Sequence, residues 1–255
     1  MSNLVLSTPQ YEVKFLLKAD NVLEAGKLKE DFLKIFNVTT TTNMVIAYLD
    51  TEKKDMNKEN WTVRVRRKEG KKTEYTFKKR YPVNIGLEEV LKLAAIEGFN
   101  QDLADKYADK DYKSEVDWGI KKETLSFSYS DKVSAKKLGD LELPSLLSCI
   151  SDATNVAPVE FINWGKNKWG RNNLKTSKMY GPVTAVRHTG VFESVDVDIE
   201  VWEIEENSFI AEMSFKTTDM KYGQEHRAIL MERLKEMDIL SEEDISKTDI
   251  ILNKH

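Results

Sequence analysis

Cysteine is nearly missing from this chain: Cys149 stands alone among 255 residues. A single cysteine excludes a disulfide framework and a zinc site built on thiolates. Histidine is scarce as well. His188 and His226 are isolated and His255 ends the sequence, so no histidine metal cluster is expected. No run approaches the ~20 apolar residues that a membrane-spanning helix requires. With one cysteine and no signal peptide in view, the expected setting is reducing and cytoplasmic, with no membrane partner. A large excess of one charge is lacking too: 39 Lys and Arg meet 43 Asp and Glu, for a net charge of −4. The chain as a whole is therefore not built to bind nucleic acid, and any anion site must be a local concentration of cations. Internal repeats and low-complexity linkers are also missing, which favours one domain over residues 1–255. What remains, 40% hydrophobic and 32% charged, is a globular composition long enough to bury a core without staples.

The strongest pattern runs from Trp61 to Arg80. Trp-Thr-Val-Arg-Val-Arg-Arg-Lys and Thr-Glu-Tyr-Thr-Phe-Lys-Lys-Arg both alternate with the two-residue period of a strand. Glu69-Gly70-Lys71-Lys72 between them reads as a hairpin loop. The expected register sets Arg64 opposite Lys78, Arg66 opposite Thr76 and Lys68 opposite Glu74. Arg64, Arg66, Lys78 and Arg80 then share one face, and Val63, Val65, Tyr75 and Phe77 the other. Like charges across a ladder are destabilising. A sheet that gathers them either faces solvent or meets an anion, and forked guanidinium groups match the oxygens of a phosphate chain. The hairpin alone leaves both readings open.

Further strands are expected at Tyr11–Lys18, Met44–Asp50, Lys113–Trp118, Thr124–Tyr129, Val183–Arg187, Val195–Trp202 and Phe209–Lys216. Helices are expected from Asp20 or Asn21 to about Phe36 and from Leu87 to about Ala108, the latter interrupted near Gly98. Another, broken by Pro144, is expected within Leu138–Ala157, then one over Gln224–Lys235 and a shorter terminal one after Ile239. Val159–Tyr180 reads as an irregular excursion whose Trp164 and Trp169 serve packing. Its Lys166, Lys168, Arg171, Lys175 and Lys178 are the candidates for a basic groove that follows an RNA strand, and the simpler reading is a solvated loop. Several strands repeat one design, an apolar face and a charged face. A wet-faced antiparallel sheet explains this. So does a barrel with its charges inside, which would need cations and carboxylates in balance. Magnesium or manganese with an anionic ligand would complete such an interior.

The ordered residues resemble a known family. Glu12-Val-Lys14-Phe-Leu, Tyr48-Leu-Asp-Thr, Arg64-Val-Arg66-Arg, Thr76-Phe-Lys78, the pair Glu88-Glu89, Arg187, Asp198-Ile-Glu200-Val-Trp and Glu212-Met-Ser-Phe together resemble the CYTH, or triphosphate tunnel metalloenzyme, superfamily. The resemblance spans about residues 10–90 and 183–235. It implies an α+β fold, an antiparallel eight-stranded β-barrel forming a tunnel. Helices would pack outside it, with an inserted, divergent middle segment at about 91–182. It implies divalent-metal-dependent hydrolysis of an inorganic or organic triphosphate. A class IV-type adenylate cyclase and a non-catalytic nucleotide- or polyphosphate-binding protein are the alternatives. By resemblance, Arg64, Arg66, Lys78 and Arg187 grip the phosphates, with Arg80 beside them. Lys14, Glu12 and Glu212 are catalytic, and Glu12, Glu212, Glu200 and Asp198 hold Mg2+ or Mn2+. The partner is a small triphosphate or nucleotide. Nucleic acid is not expected, an RNA 5′ end excepted, and a homodimer is kept open. Two departures weaken the metal set: Gln10 and Ser214 stand where the family's motifs place glutamates.

Overall fold

A computed structural model of the chain describes residues 5–108, 110–134 and 139–254; Leu138 and His255, named above, lie outside these. Nine strands close into a barrel. They are β1 (Gln10–Leu17), β2 (Thr40–Asp50), β3 (Trp61–Lys68), β4 (Thr73–Pro82), β5 (Asp111–Trp118), β6 (Glu123–Val133), β7 (Lys178–Phe192), β8 (Val195–Glu205) and β9 (Ser208–Thr217). The order around the ring is β1-β9-β8-β7-β2-β3-β4-β6-β5. Neighbours are antiparallel except at the last contact, where β5 runs parallel to β1. The barrel and its outer helices match the expected class, with nine staves in place of eight. An odd ring cannot alternate direction all the way round, so one contact must be parallel. Two staves, β5 and β6, come from the middle segment expected as an insertion.

Alternation sorts the side chains between wall and tunnel. Val13, Phe15 and Leu17 of β1, Val63 and Val65 of β3, and Tyr75 and Phe77 of β4 are buried on the outer face. Each such burial stabilises by roughly 1.5–3 kcal/mol. Helices cover them. Met220–Glu236 packs on β1 and β9 through Leu230 and Leu234, and Asp219 caps it by accepting from the Lys221 and Tyr222 amides. Trp61 meets Phe99, Phe161 and Trp164, so the expected irregular excursion includes short helices that seal the outside of β3 and β4. Lys79 Nζ lies 4.0 Å from the Trp164 ring centroid. No described helix is long and apolar enough to cross a membrane.

Two local expectations are corrected. The β3–β4 register sets Arg64 opposite Thr76 and Arg66 opposite Glu74, two residues from that expected. The slip keeps every side chain on its face and replaces an Arg–Lys juxtaposition with an Arg66–Glu74 ion pair. The helix expected from Asp20 to Phe36 is broken: Ala19–Val22 and Glu30–Ile35 are helical, with Leu23–Glu24 and Lys27–Leu28 paired as a ribbon. Ala25 and Gly26 turn that ribbon at φ 47° and 74°. A Cβ on Gly26 would lie 2.4 Å from the Phe209 ring, so apolar spacing loses here to turn geometry.

Candidate functional site

The inner faces of the staves enclose a cavity of about 830 Å³. All the site residues expected from sequence line it: Glu12, Lys14, Arg64, Arg66, Lys78, Arg80, Arg187, Asp198, Glu200 and Glu212. Twelve Lys and Arg and ten Asp and Glu line the wall, so its charge is nearly balanced. The balance is uneven in space.

On one side cations crowd together. Arg66 donates to Glu74, and Arg64 Nη2 lies 3.5 Å from the same carboxylate. One carboxylate thus serves two guanidiniums, and the Nε of each is buried with no hydrogen-bond partner. Burial and the Arg64 charge push Arg66 down to about 10, against the pull of Glu74. Lys68, absent from the expected set, lines the same wall. Burial, then Arg66 and Arg187, bring its ammonium down to about 8. Arg80 lies apart from this group and donates from Nη1 to Thr62 Oγ1 at 2.9 Å.

On the other side carboxylates and cations are matched. Lys14 Nζ lies 2.7 Å from Asp117 Oδ1 and 2.8 Å from Glu12 Oε2. Lys78 takes the other Asp117 oxygen at 3.2 Å. Lys216 reaches Glu115 and, at 3.4 Å, Glu12. Lys247 Nζ stands between Glu200 Oε2, at 2.7 Å, and Glu212 Oε1, at 2.9 Å. Arg187 donates to Glu200 and lies 3.1 Å from Asp198 Oδ2. Burial works against the charged forms, and partners outweigh it at Lys14, Glu115, Asp117, Arg187, Glu200, Lys216 and Lys247, whereas at Lys78 burial wins and lowers the ammonium. Lys14 is held well above its ordinary value by Asp117, Glu12 and Glu212. Asp117 is held well below its own by Lys14 and Lys78. Glu200 is likewise held well below by Lys247 and Arg187.

These pairs bear on the expected metal ion. Glu12, Glu200, Glu212 and Asp198 are each closed by a lysine or arginine. Among the described residues, no three His, Cys, Asp or Glu side chains gather as a ligand set. Gln10 and Ser214 supply no carboxylate in compensation. In this arrangement the donor set does not fit a divalent ion.

The expected set left out Lys68, Glu74, Glu115, Asp117, Lys216 and Lys247. Alternation on β3, β4, β5 and β9 carried a signal for the first five. Lys247, at the start of the terminal helix Lys247–Lys254, carried none. Other candidates fall outside the cavity. Glu88 and Glu89 pair with Lys92 on an outer helix. Asp50 closes a buried turn, accepting from the Thr51, Met56 and Asn57 amides. Lys166, Lys168, Arg171, Lys175 and Lys178 are exposed on the outer surface.

No family model matches the sequence, and no curated protein matches it. Solved structures do. A Hippeastrum protein, described as an adenylyl cyclase candidate with a dominant triphosphatase activity, superposes with a TM-score of 0.58 at 13% identity. The match covers 95% of each chain. An adenylate cyclase candidate from Bacillus halodurans superposes with a TM-score of 0.51 at 12% identity, over 94% of this chain and 96% of that one. At such identities the likeness is one of fold. By fold, the chain is a closed β-barrel with helices outside, of the kind seen in these two structures.

Proposed function

We propose that the tunnel binds the phosphate chain of a triphosphate and that the protein hydrolyses it, the substrate being inorganic triphosphate or an organic one such as a nucleotide. One observation carries this reading: Arg64, Arg66 and Lys68 crowd together inside a walled cavity, the charge of Arg187 reaches Arg66 and Lys68, and the Nε of Arg64 and of Arg66 is left unmatched. A buried donor without a partner costs roughly 1–3 kcal/mol, which a phosphate oxygen would recover. The same cations would stabilise charge spread over a transferred phosphoryl group. The triphosphatase activity ascribed to the Hippeastrum protein supports the choice of hydrolysis. A cyclase would need a pocket for the base. The middle segment supplies β5 and β6 to the cavity wall, while its helices Leu146–Val156 and Trp169–Lys175 do not line it.

A second reading, a polyphosphate-binding protein without turnover, is favoured by the ion pairs that close Glu12, Glu200 and Glu212. Phosphate release from tripolyphosphate and ATP separates the two. Wild type and Arg66→Ala are compared in magnesium, manganese or EDTA, with products resolved. Turnover that falls at least tenfold in Arg66→Ala supports the hydrolase. Binding without turnover selects the second reading. Neither binding nor turnover overturns both, and cyclic AMP with pyrophosphate would restore the cyclase.

A further inference from the structure

The C-terminal segment is threaded into the barrel and held there at several points. Ser241 N donates to Leu16 O at the end of β1. The Asp244 carboxylate accepts from the backbone amides of Ile120, Lys121 and Lys122 in the β5–β6 turn. Thr248 Oγ1 donates to the Tyr48 hydroxyl at 3.2 Å. Ile251 and Leu252 are buried against Met44, Ile46, Tyr180, Val183 and Trp202. Lys247 is therefore not a surface lysine folded back by chance. Its side chain is 14% exposed, its ammonium lies 4.6 Å from the Trp202 ring centroid, and it bridges Glu200 and Glu212.

We propose that Lys247 is the resident cation of this tunnel: its ammonium holds the place between Glu200 and Glu212 that a divalent ion would need, and phosphate chains bind without such an ion. The pairing supports this. Arg187 meets Glu200 and Asp198, and Lys247 meets Glu200 and Glu212, so two cations serve three carboxylates and none of the three is left without a cation. Buried charge is tolerated where it is paired and hydrogen-bonded in this way. A divalent ion would have to expel an ammonium that is buried, tethered by its helix and bonded to both carboxylates. Ser214, across β8–β9 from Asp198, brings no replacement carboxylate. The part of the inference concerning phosphate chains rests on the proposed ligand class; the part concerning the cation does not.

The test uses the full chain and two probes. Manganese binding is counted by electron paramagnetic resonance with no phosphate present. Tripolyphosphate binding is followed in EDTA by calorimetry. The wild type is expected to bind no manganese at 1:1 stoichiometry up to ~0.1 mM, and to bind tripolyphosphate in EDTA. Lys247→Met is expected to gain one manganese site, lost again when Glu212→Gln is added. A wild-type manganese site that disappears in Glu212→Gln would overturn the proposal, as would a folded Lys247→Met protein with no site gained. If Lys247→Met does not fold, the wild-type count and its response to Glu212→Gln decide alone. Tripolyphosphate binding to the wild type that requires manganese would also overturn the proposal. Failure to bind tripolyphosphate under any condition would sink the proposed ligand class and the metal-free binding of it. The manganese count would still test the place of Lys247.

Discussion

At Lys68 the fold works against a charge: burial and the facing guanidiniums take the ammonium from an ordinary 10.5 to about 8. The folded value lies below the unfolded one, so between about pH 8 and 10.5 the unfolded chain binds more protons and stability rises with pH. A phosphate chain reverses the bias by favouring the protonated form. Affinity for tripolyphosphate should therefore fall as pH rises above about 8, with proton uptake on binding. Calorimetry at pH 7 and pH 9, in buffers of different ionisation enthalpy, reads both effects. Lys68→Met should flatten the profile and cost about tenfold in affinity at neutral pH, the scale of one charge-assisted hydrogen bond. A profile unchanged by the substitution would assign the titration elsewhere. The sequence placed the other cations of this wall correctly because strand parity survives a register slip of two. Lys68 stood outside the expected set, and the expected register placed it opposite Glu74. The observed pairing gives Glu74 to Arg66 instead.

Among the elements, those with strict alternation were legible and those set by packing were not. The β3–β4 hairpin and β8 could be read almost to their ends. Val159–Tyr180 could not, since its short helices Val159–Ile162 and Trp169–Lys175 answer to the aromatic surface beneath them rather than to a period. The terminal helix was expected, but its place in the tunnel was not, because nothing local marks Lys247. β7 gives a sharper test of packing. A Cβ on Gly190 would lie 2.2 Å from Phe36 O, where the backbone passes close enough for Val191 N to donate to the same oxygen at 2.7 Å. Backbone on both sides leaves little room to yield. Gly190→Ala should cost about 2–4 kcal/mol and lower the thermal midpoint by several degrees. A midpoint within a degree of wild type would mean that the Phe36–Asn37 turn moves freely.

On the scale of the whole molecule, the charged interior was legible as a class before its geometry was known. Faces that gather charge on strand after strand require a closed, balanced interior or a wet sheet, and the ring supplies the first. The number of staves was not legible from the resemblance, which implied eight. Nine strands follow only once β5 and β6 are counted in the wall, and β1 must then lie beside a strand of its own direction. That contact holds four register pairs, Gln10↔Glu115 to Val13↔Trp118, where β1 and β9 share seven. Parallel pairing is also the slightly weaker kind. The ring thus has an expansion joint, bridged on its inner face by Lys14–Asp117 and Lys216–Glu115. A bound phosphate chain that draws Lys14 or Lys216 toward itself would ease those bridges, and the ring would widen there before it widened elsewhere. Amide hydrogen exchange should find β1 and β5 opening ahead of β7 and β8, with ligand changing the rates at this joint first. Equal protection around all nine staves would mean that the ring breathes as a single hoop.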